Sequence, residues 1–211
     1  MRINIIFLTL LLAFNTNAQD HLEPTNNLFS YFPYRVDYHL QITNILIDSL
    51  KTKPEIQVVI LPSFSSEIVW QIFKTSDGRY ISQVRKASKS IWHNQYEKKP
   101  KKIKPLISEK ELSSDIYKLL KSLYLTSVYT TKYSLPDGKM GLDGTNYYFS
   151  VFDYGFKSGT IWSPKEGTLM RELVEITNIL IQKFDSQESR IELEPEIIER
   201  IEDFNQEINT R

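Results

Sequence analysis

The chain has 211 residues, with 26 basic and 26 acidic side chains, three histidines and no cysteine. Without cysteine, thiol catalysis, cysteine-ligated zinc, iron–sulfur clusters and disulfide staples are all excluded. Balanced charge argues against nucleic acid or an anionic membrane as the main partner, since either selects a strongly basic surface.

Met1 and Arg2 precede an apolar run from Ile3 to Phe14, interrupted by Asn4 and Thr9, and the polar stretch Asn15 to Gln19 follows. A positive start, a short apolar region and small residues at Thr16 and Ala18 have the layout of a secretory signal peptide over residues 1–18. The run is shorter than the roughly 20 apolar residues of a spanning helix. The expected product is exported, periplasmic or secreted, and begins at Gln19; with no cysteine there, it carries no lipid anchor. The lack of an Asn-x-Ser/Thr acceptor fits a bacterial envelope protein. Residues 19–32 read as a flexible polar lead-in and 33–211 as one domain with a full core.

From Tyr34 to Lys51, Val36, Leu40, Leu46, Ile47 and Leu50 recur at helical spacing, which predicts a first helix. Ile56 to Leu61, between Pro54 and Pro62, predicts a strand. Glu67 to Lys74 and Arg79 to Lys86 predict a hairpin around Thr75-Ser76-Asp77-Gly78. Ile91 to Leu106, with Lys98, Lys99, Lys101, Lys102 and Lys104 punctuated by Pro100 and Pro105, reads as a loop. Ser108-Glu109-Lys110-Glu111 has the capping-box pattern and predicts a second helix through Leu123. Thr126 to Tyr133 predicts a strand, and Tyr147 to Phe152 another, turned at Asp153-Tyr154-Gly155 into a partner ending near Trp162. A helix from about Ser163 carries Leu169 to Phe184, and Pro195 introduces a last one. These elements predict an α+β fold, an antiparallel sheet of about five or six strands built from hairpins and packed by three or four helices.

The loop Asp137 to Gly144 holds Gly138, Gly141 and Gly144, but matches neither a phosphate-binding loop nor a calcium loop. Asp143 and Asp153 bracket a strand and stand about 30 Å apart if it is extended, too far for a glycosidase pair. Among the histidines, His21 falls in the lead-in and His39 beside the first helix's stripe. His93 lies in the aromatic, polar run Ile91-Trp92-His93-Asn94-Gln95-Tyr96, where a loop can carry function. No catalytic set is recognisable: Ser63 and Ser158 both miss the nucleophile-elbow pattern. The candidate binding residues are Trp92, His93, Tyr96, Asp137, Asp143, Tyr154 and Trp162; no catalytic residue, metal ligand or cofactor is assigned. Charge is uneven, with nine Lys or Arg against two acids over 85–110 and nine acids against three Arg over 185–211. These segments are expected to attract each other across the fold, or one of them to meet an electrostatically matched partner.

Pro62-Ser63-Phe64, Lys89-Ser90-Ile91-Trp92, Leu142-Asp143-Gly144 with Tyr147-Tyr148-Phe149-Ser150, and Gly159-x-x-Trp162-Ser163-Pro164 resemble a family of exported, functionally unassigned proteins of Gram-negative bacteria. The resemblance implies no activity, but it implies that Trp92 and the Asp143 to Pro164 region form the heart of the fold around one surface. The functional expectation is a non-catalytic envelope module, of inhibitor or immunity type, that binds another protein. The alternative is a hydrolase or binding protein for cell-wall or other glycans, using Asp143 or Asp137 with His93.

Overall fold

A computed structural model describes residues 20–25, 36–47, 53–133, 143–186 and 191–211. Residues 1–18, read above as an expected signal peptide, and Asp137, with most of the glycine loop, lie outside the described residues. Seven strands form one antiparallel sheet: β1 (Glu23–Pro24), β2 (Ile56–Pro62), β3 (Ile68–Lys74), β4 (Tyr80–Ala87), β5 (Pro105–Leu112), β6 (Thr145–Phe152) and β7 (Phe156–Trp162), in the order β1-β7-β6-β2-β3-β4-β5. The described helices are α1 (Val36–Ile42), which runs on as a π-turn (Thr43–Ile47), α2 (Ile91–Asn94), α3 (Ser114–Tyr129), α4 (Leu169–Phe184) and α5 (Pro195–Ile208). The α+β class with an antiparallel sheet is as expected.

Local chemistry explains most boundaries. Gly78 adopts φ +89°, which a tight β3–β4 turn requires and few side chains tolerate. Ser113 and Thr168 cap α3 and α4 by accepting the amides of Ile116 and Arg171, and Pro195 opens α5 where no amide is needed.

Several expectations change, among them the loop expected from Ile91, which opens with α2 and runs into β5. Ser108 to Glu111 is not a capping box but part of β5, because eight residues pair in register with β4 and Ser113 supplies the cap instead. Thr126 to Tyr129 continues α3, since Leu123, Tyr124, Ser127 and Val128 bury at helical spacing against the sheet; the β-branched Thr126 and Val128 had pointed to a strand. In the lead-in, Leu22 is fully buried and Glu23–Pro24 pairs with β7 at Gly159 and Thr160. Along α1 and its π-turn the buried residues are Tyr38, Ile42 and Leu46, spaced four apart on one face, while Val36 and Leu40 face solvent.

The two sheet faces differ. On the front, Trp70, Phe149, Ile72 and Val58 pack beneath α3 and α4, with α5 lying outside those two helices. Trp70 meets Tyr124 edge-on at 5.7 Å and Phe184 at 5.3 Å, and its indole N–H donates to Ser82 Oγ at 2.8 Å, so the one polar atom of that ring is satisfied. On the back, Val59, Leu61, Val69 and Tyr148 pack against Tyr38, Ile42, Leu46 and Ile91. Between them and the far end runs a polar row at one register level: Ser158, Ser150, Gln57, Gln71, Gln83 and Glu109 stand side by side on six strands. Gln71 donates to Gln57 at 2.5 Å and Gln83 donates to Glu109. One level along, Arg85 is 3 % exposed.

Candidate functional site

Antiparallel order brings the end of β2, the starts of β3 and β6, and the ends of β4 and β7 to the same end of the sheet. Two serines clasp them. Ser63 donates its amide to the Gly144 carbonyl (2.9 Å) and accepts the Gly144 amide on Oγ (3.1 Å). Ser163 does the same with Thr145, at 2.9 Å and 2.8 Å. Ser163 holds φ +35°, a strained value for a residue with a side chain, which this double contact sustains. A Cβ on Gly144 would stand 2.7 Å from the Trp162 indole, so only glycine lets that ring lie on the backbone.

The short helix α2 is held from beneath by Glu67, a carboxylate with no solvent exposure. It accepts the amides of Ile91 (2.8 Å) and Trp92 (3.0 Å) and the Tyr38 hydroxyl (3.0 Å). Four residues make too short a helix to stand alone; a negative charge on its first amides and the Ser90 cap, which accepts the His93 amide, fix it. His93 then reaches back to the Ser63 carbonyl at 2.9 Å. A carbonyl only accepts, so Nε2 carries the proton in this contact. Phe64 stacks on His93 at 6.4 Å, and Trp92 meets Tyr38 and Tyr96 edge-on at 5.1 and 5.4 Å. Phe64 and Tyr96 remain 73 % and 70 % exposed.

The lysine-rich segment after Tyr96 has an ordered backbone. Buried Asn94 locks Lys101 from both sides, donating to its carbonyl and accepting its amide at 3.0 Å each. Ser88 locks Lys104 likewise, its amide donating to the carbonyl (2.9 Å) and its hydroxyl accepting the amide (3.1 Å), and Ile103 plugs into the back core between them. Lys89, Lys98, Lys99, Lys101, Lys102 and Lys104 therefore project from a fixed frame, all exposed or nearly so. No described carboxylate forms an ion pair with any of the six. The like charge of Lys101 beside it pulls the Lys89 ammonium below the usual lysine value.

The acidic helices do not answer this charge. Arg200 holds Glu172 in a fork (2.7 and 3.0 Å) and reaches Glu175, Lys183 holds Glu194, and Arg211 holds Glu207 and Asp20. The two segments touch where Ser108 donates to Asp185, but α5 packs on the front helices while these six lysines belong to the back, so the acidic helix does not pair with them.

Of the candidate residues, Trp92, His93, Tyr96, Asp143 and Trp162 share this end of the sheet. Tyr154 sits at the opposite end, fully exposed in the β6–β7 turn with φ +49°, and Asp137 lies outside the described residues. Comparison with protein-family models, with curated proteins and with solved structures finds no match. No described carboxylate hydrogen-bonds the His93 ring, and both clasp serines spend their hydroxyls as acceptors. Among the described residues, no cluster of three His, Asp or Glu could hold a metal ion, and no helix is long and apolar enough to cross a membrane. A second cluster, Glu55, Tyr117 and Lys121, joins the β2 entrance to α3 through bonds of 3.0 and 3.2 Å. Burial there pushes the Tyr117 phenol up to about 12, so it stays protonated and acts as a brace. Sequence reading named Ser63, Phe64 and Asn94 without placing them among the candidate residues and gave Glu67 no role, because their roles arise from contacts 7 to 81 residues away.

Proposed function

We propose that the chain is a non-catalytic protein-binding module of inhibitor or immunity type, working after export, and that it meets an acidic partner at the lysine-bearing corner of the sheet. One observation carries the reading: six lysines project from a backbone locked by Asn94 and Ser88, without an ion-pair partner in the described fold, beside exposed Phe64 and Tyr96. Cations left unpaired on an ordered frame match a complementary surface and steer its approach. Exposed aromatic rings beside them supply the anchors that protein interfaces favour. The glycan-directed alternative draws less support, since His93 is bonded to a main-chain carbonyl rather than to Asp143.

Cross-linking in the native host tests the reading. Wild-type protein is expected to yield one defined acidic partner, and the variant carrying Lys98→Glu, Lys99→Glu and Lys101→Glu is expected to lose it with its fold intact. Recovery of the same partners by both proteins, or of no defined partner by either, would overturn it.

A further inference from the structure

The sheet ends differently on its two sides. Beyond β7 the two residues of β1 close the edge, with Thr25 adding an amide bond to the Ser158 carbonyl at 3.2 Å. Beyond β5 no described backbone group pairs at all.

Which peptide groups of β5 face outward follows from the ladder. Ser88 bonds Lys104 across β4 and β5, whereas Ala87 bonds Glu67 on the β3 side. In an antiparallel pair, bonded and non-bonded positions alternate. With the register fixed, Leu106, Ser108 and Lys110 bond inward to β4, and Ile107 and Glu109 present N–H and C=O to the outside.

Natural edges are guarded by charge or by cover. Here the guards stand at the two ends, Lys104 and Pro105 at the start and charged residues at the close, and leave Leu106 and Ile107 between them. Glu109, Lys110 and Glu111 occupy the C-terminal half, Glu111 beside Ile191 to Leu193, and Ser108 donates its hydroxyl to Asp185 at 2.5 Å. In the N-terminal half Leu106 and Ile107, one on each face, are 58 % and 51 % exposed. Pro105, lacking an N–H, stands at the first position, where a strand tolerates it. The lysine segment runs directly into this half.

Building on the partner reading above, we infer that Leu106 to Glu109 is a strand-addition edge, at which an extended acidic segment of the partner protein joins the sheet as an eighth strand. Outward main-chain groups at Ile107 and Glu109 supply the ladder, Leu106 and Ile107 the apolar contacts on each face, and Lys98 to Lys104 the charge that selects acidic residues.

A synthetic acetylated peptide of four Glu-Val repeats, with its Lys-Val counterpart as control, tests this on the full exported chain. The acidic peptide is expected to shift and protect the Ile107 and Glu109 amides in NMR and exchange measurements. Ile107→Pro removes one outward N–H while leaving every bond to β4, and is expected to weaken binding at least about tenfold. Leu106→Lys with Ile107→Lys guards the edge by charge and serves if the proline variant misfolds. Lys98→Gln with Lys101→Gln and Lys104→Gln should weaken binding comparably. Binding that needs the lysines but ignores both edge variants overturns the strand-addition inference and leaves the acidic-partner reading standing. Equal binding of the Lys-Val peptide overturns that reading as well. Failure of both peptides to bind overturns the inference, as does a concentration-dependent dimer that Ile107→Pro abolishes, which would give the edge to a second copy.

Discussion

On the front of the sheet every inward side chain from Trp70 to Phe149 meets carbon or a satisfied polar partner, whereas the back buries glutamines, serines and an arginine whose polar atoms are in part unpaired. Among the described residues, Gln71 Oε1, Gln83 Oε1, Ser150 Oγ and Arg85 Nε find no hydrogen-bond partner. Arg85 keeps one long bond, from Nη2 to the Ile45 carbonyl at 3.5 Å. Burial lowers its affinity for the proton and Glu109 offsets this only in part. A buried polar group without a partner destabilises by about 1–3 kcal/mol, and a charged one by more. The front therefore holds the fold together, and the back spends some of that stability on groups whose purpose is not packing. The same back side supports α2 and the lysine segment.

Truncation should expose this asymmetry most on the front. Phe149→Ala, in a fully buried position against Tyr124, is expected to destabilise by about 4 kcal/mol in chemical denaturation, through lost transfer energy and the cavity left behind. If the loss were below about 1 kcal/mol, the front would not be the stabilising face. On the back, Glu67→Ala strands three donors and is expected to lose about 3 kcal/mol. Amide exchange in that variant should speed up at Ile91 to Tyr96 and at Lys101, while α3 and α4 stay protected.

Arg85→Met should behave in the opposite sense. Removing a buried charge that has no close counter-ion is expected to leave stability within about 1 kcal/mol of wild type, or to raise it. A loss of more than about 2 kcal/mol would show that the guanidinium is paired in solution, and would erase the contrast between the faces. The smallest effect concerns His21, on the strand edge beside β7. Burial first, and then Lys132, holds its pKa below the ordinary value. The folded chain thus takes up this proton less readily than the unfolded one, so stability is full above the ordinary value near pH 6.5 and declines as the pH falls through it. In His21→Gln that part of the pH slope should vanish from denaturation curves between pH 7 and 5; an unchanged slope would assign it elsewhere.

Much of the fold was legible locally. The Thr75 to Gly78 hairpin, the β-branched β2, the alternation of Tyr147, Phe149 and Val151 against Tyr148, and the apolar stripes of α4 and α5 each carry their own signal within a turn or a strand. β5 was not legible. Its Ser108 and Glu111 imitate a helix start, and only β4, already paired with β3, supplies the template that makes the segment extended. Of the candidate site, Trp92, His93, Tyr96, Asp143 and Trp162 were recognisable as unusual residues in loops, but their gathering at one end was not.

By itself, then, the sequence determined the class of the chain and its polarity. Zero cysteine, balanced charge and period-two strands between amphipathic helices settle an α+β domain held by packing alone, with its cations and acids in separate segments. Tertiary structure alone decided where those segments stand. Glu67 reaching Ile91, Ser63 reaching Gly144 and Asn94 gripping Lys101 turn a flexible-looking lysine run into a fixed frame at the back corner. The free edge of β5 belongs to the same kind of fact, since which strand lies outermost depends on pairings across the whole sheet. Such pairings join residues far apart in the chain, and no local pattern encodes them.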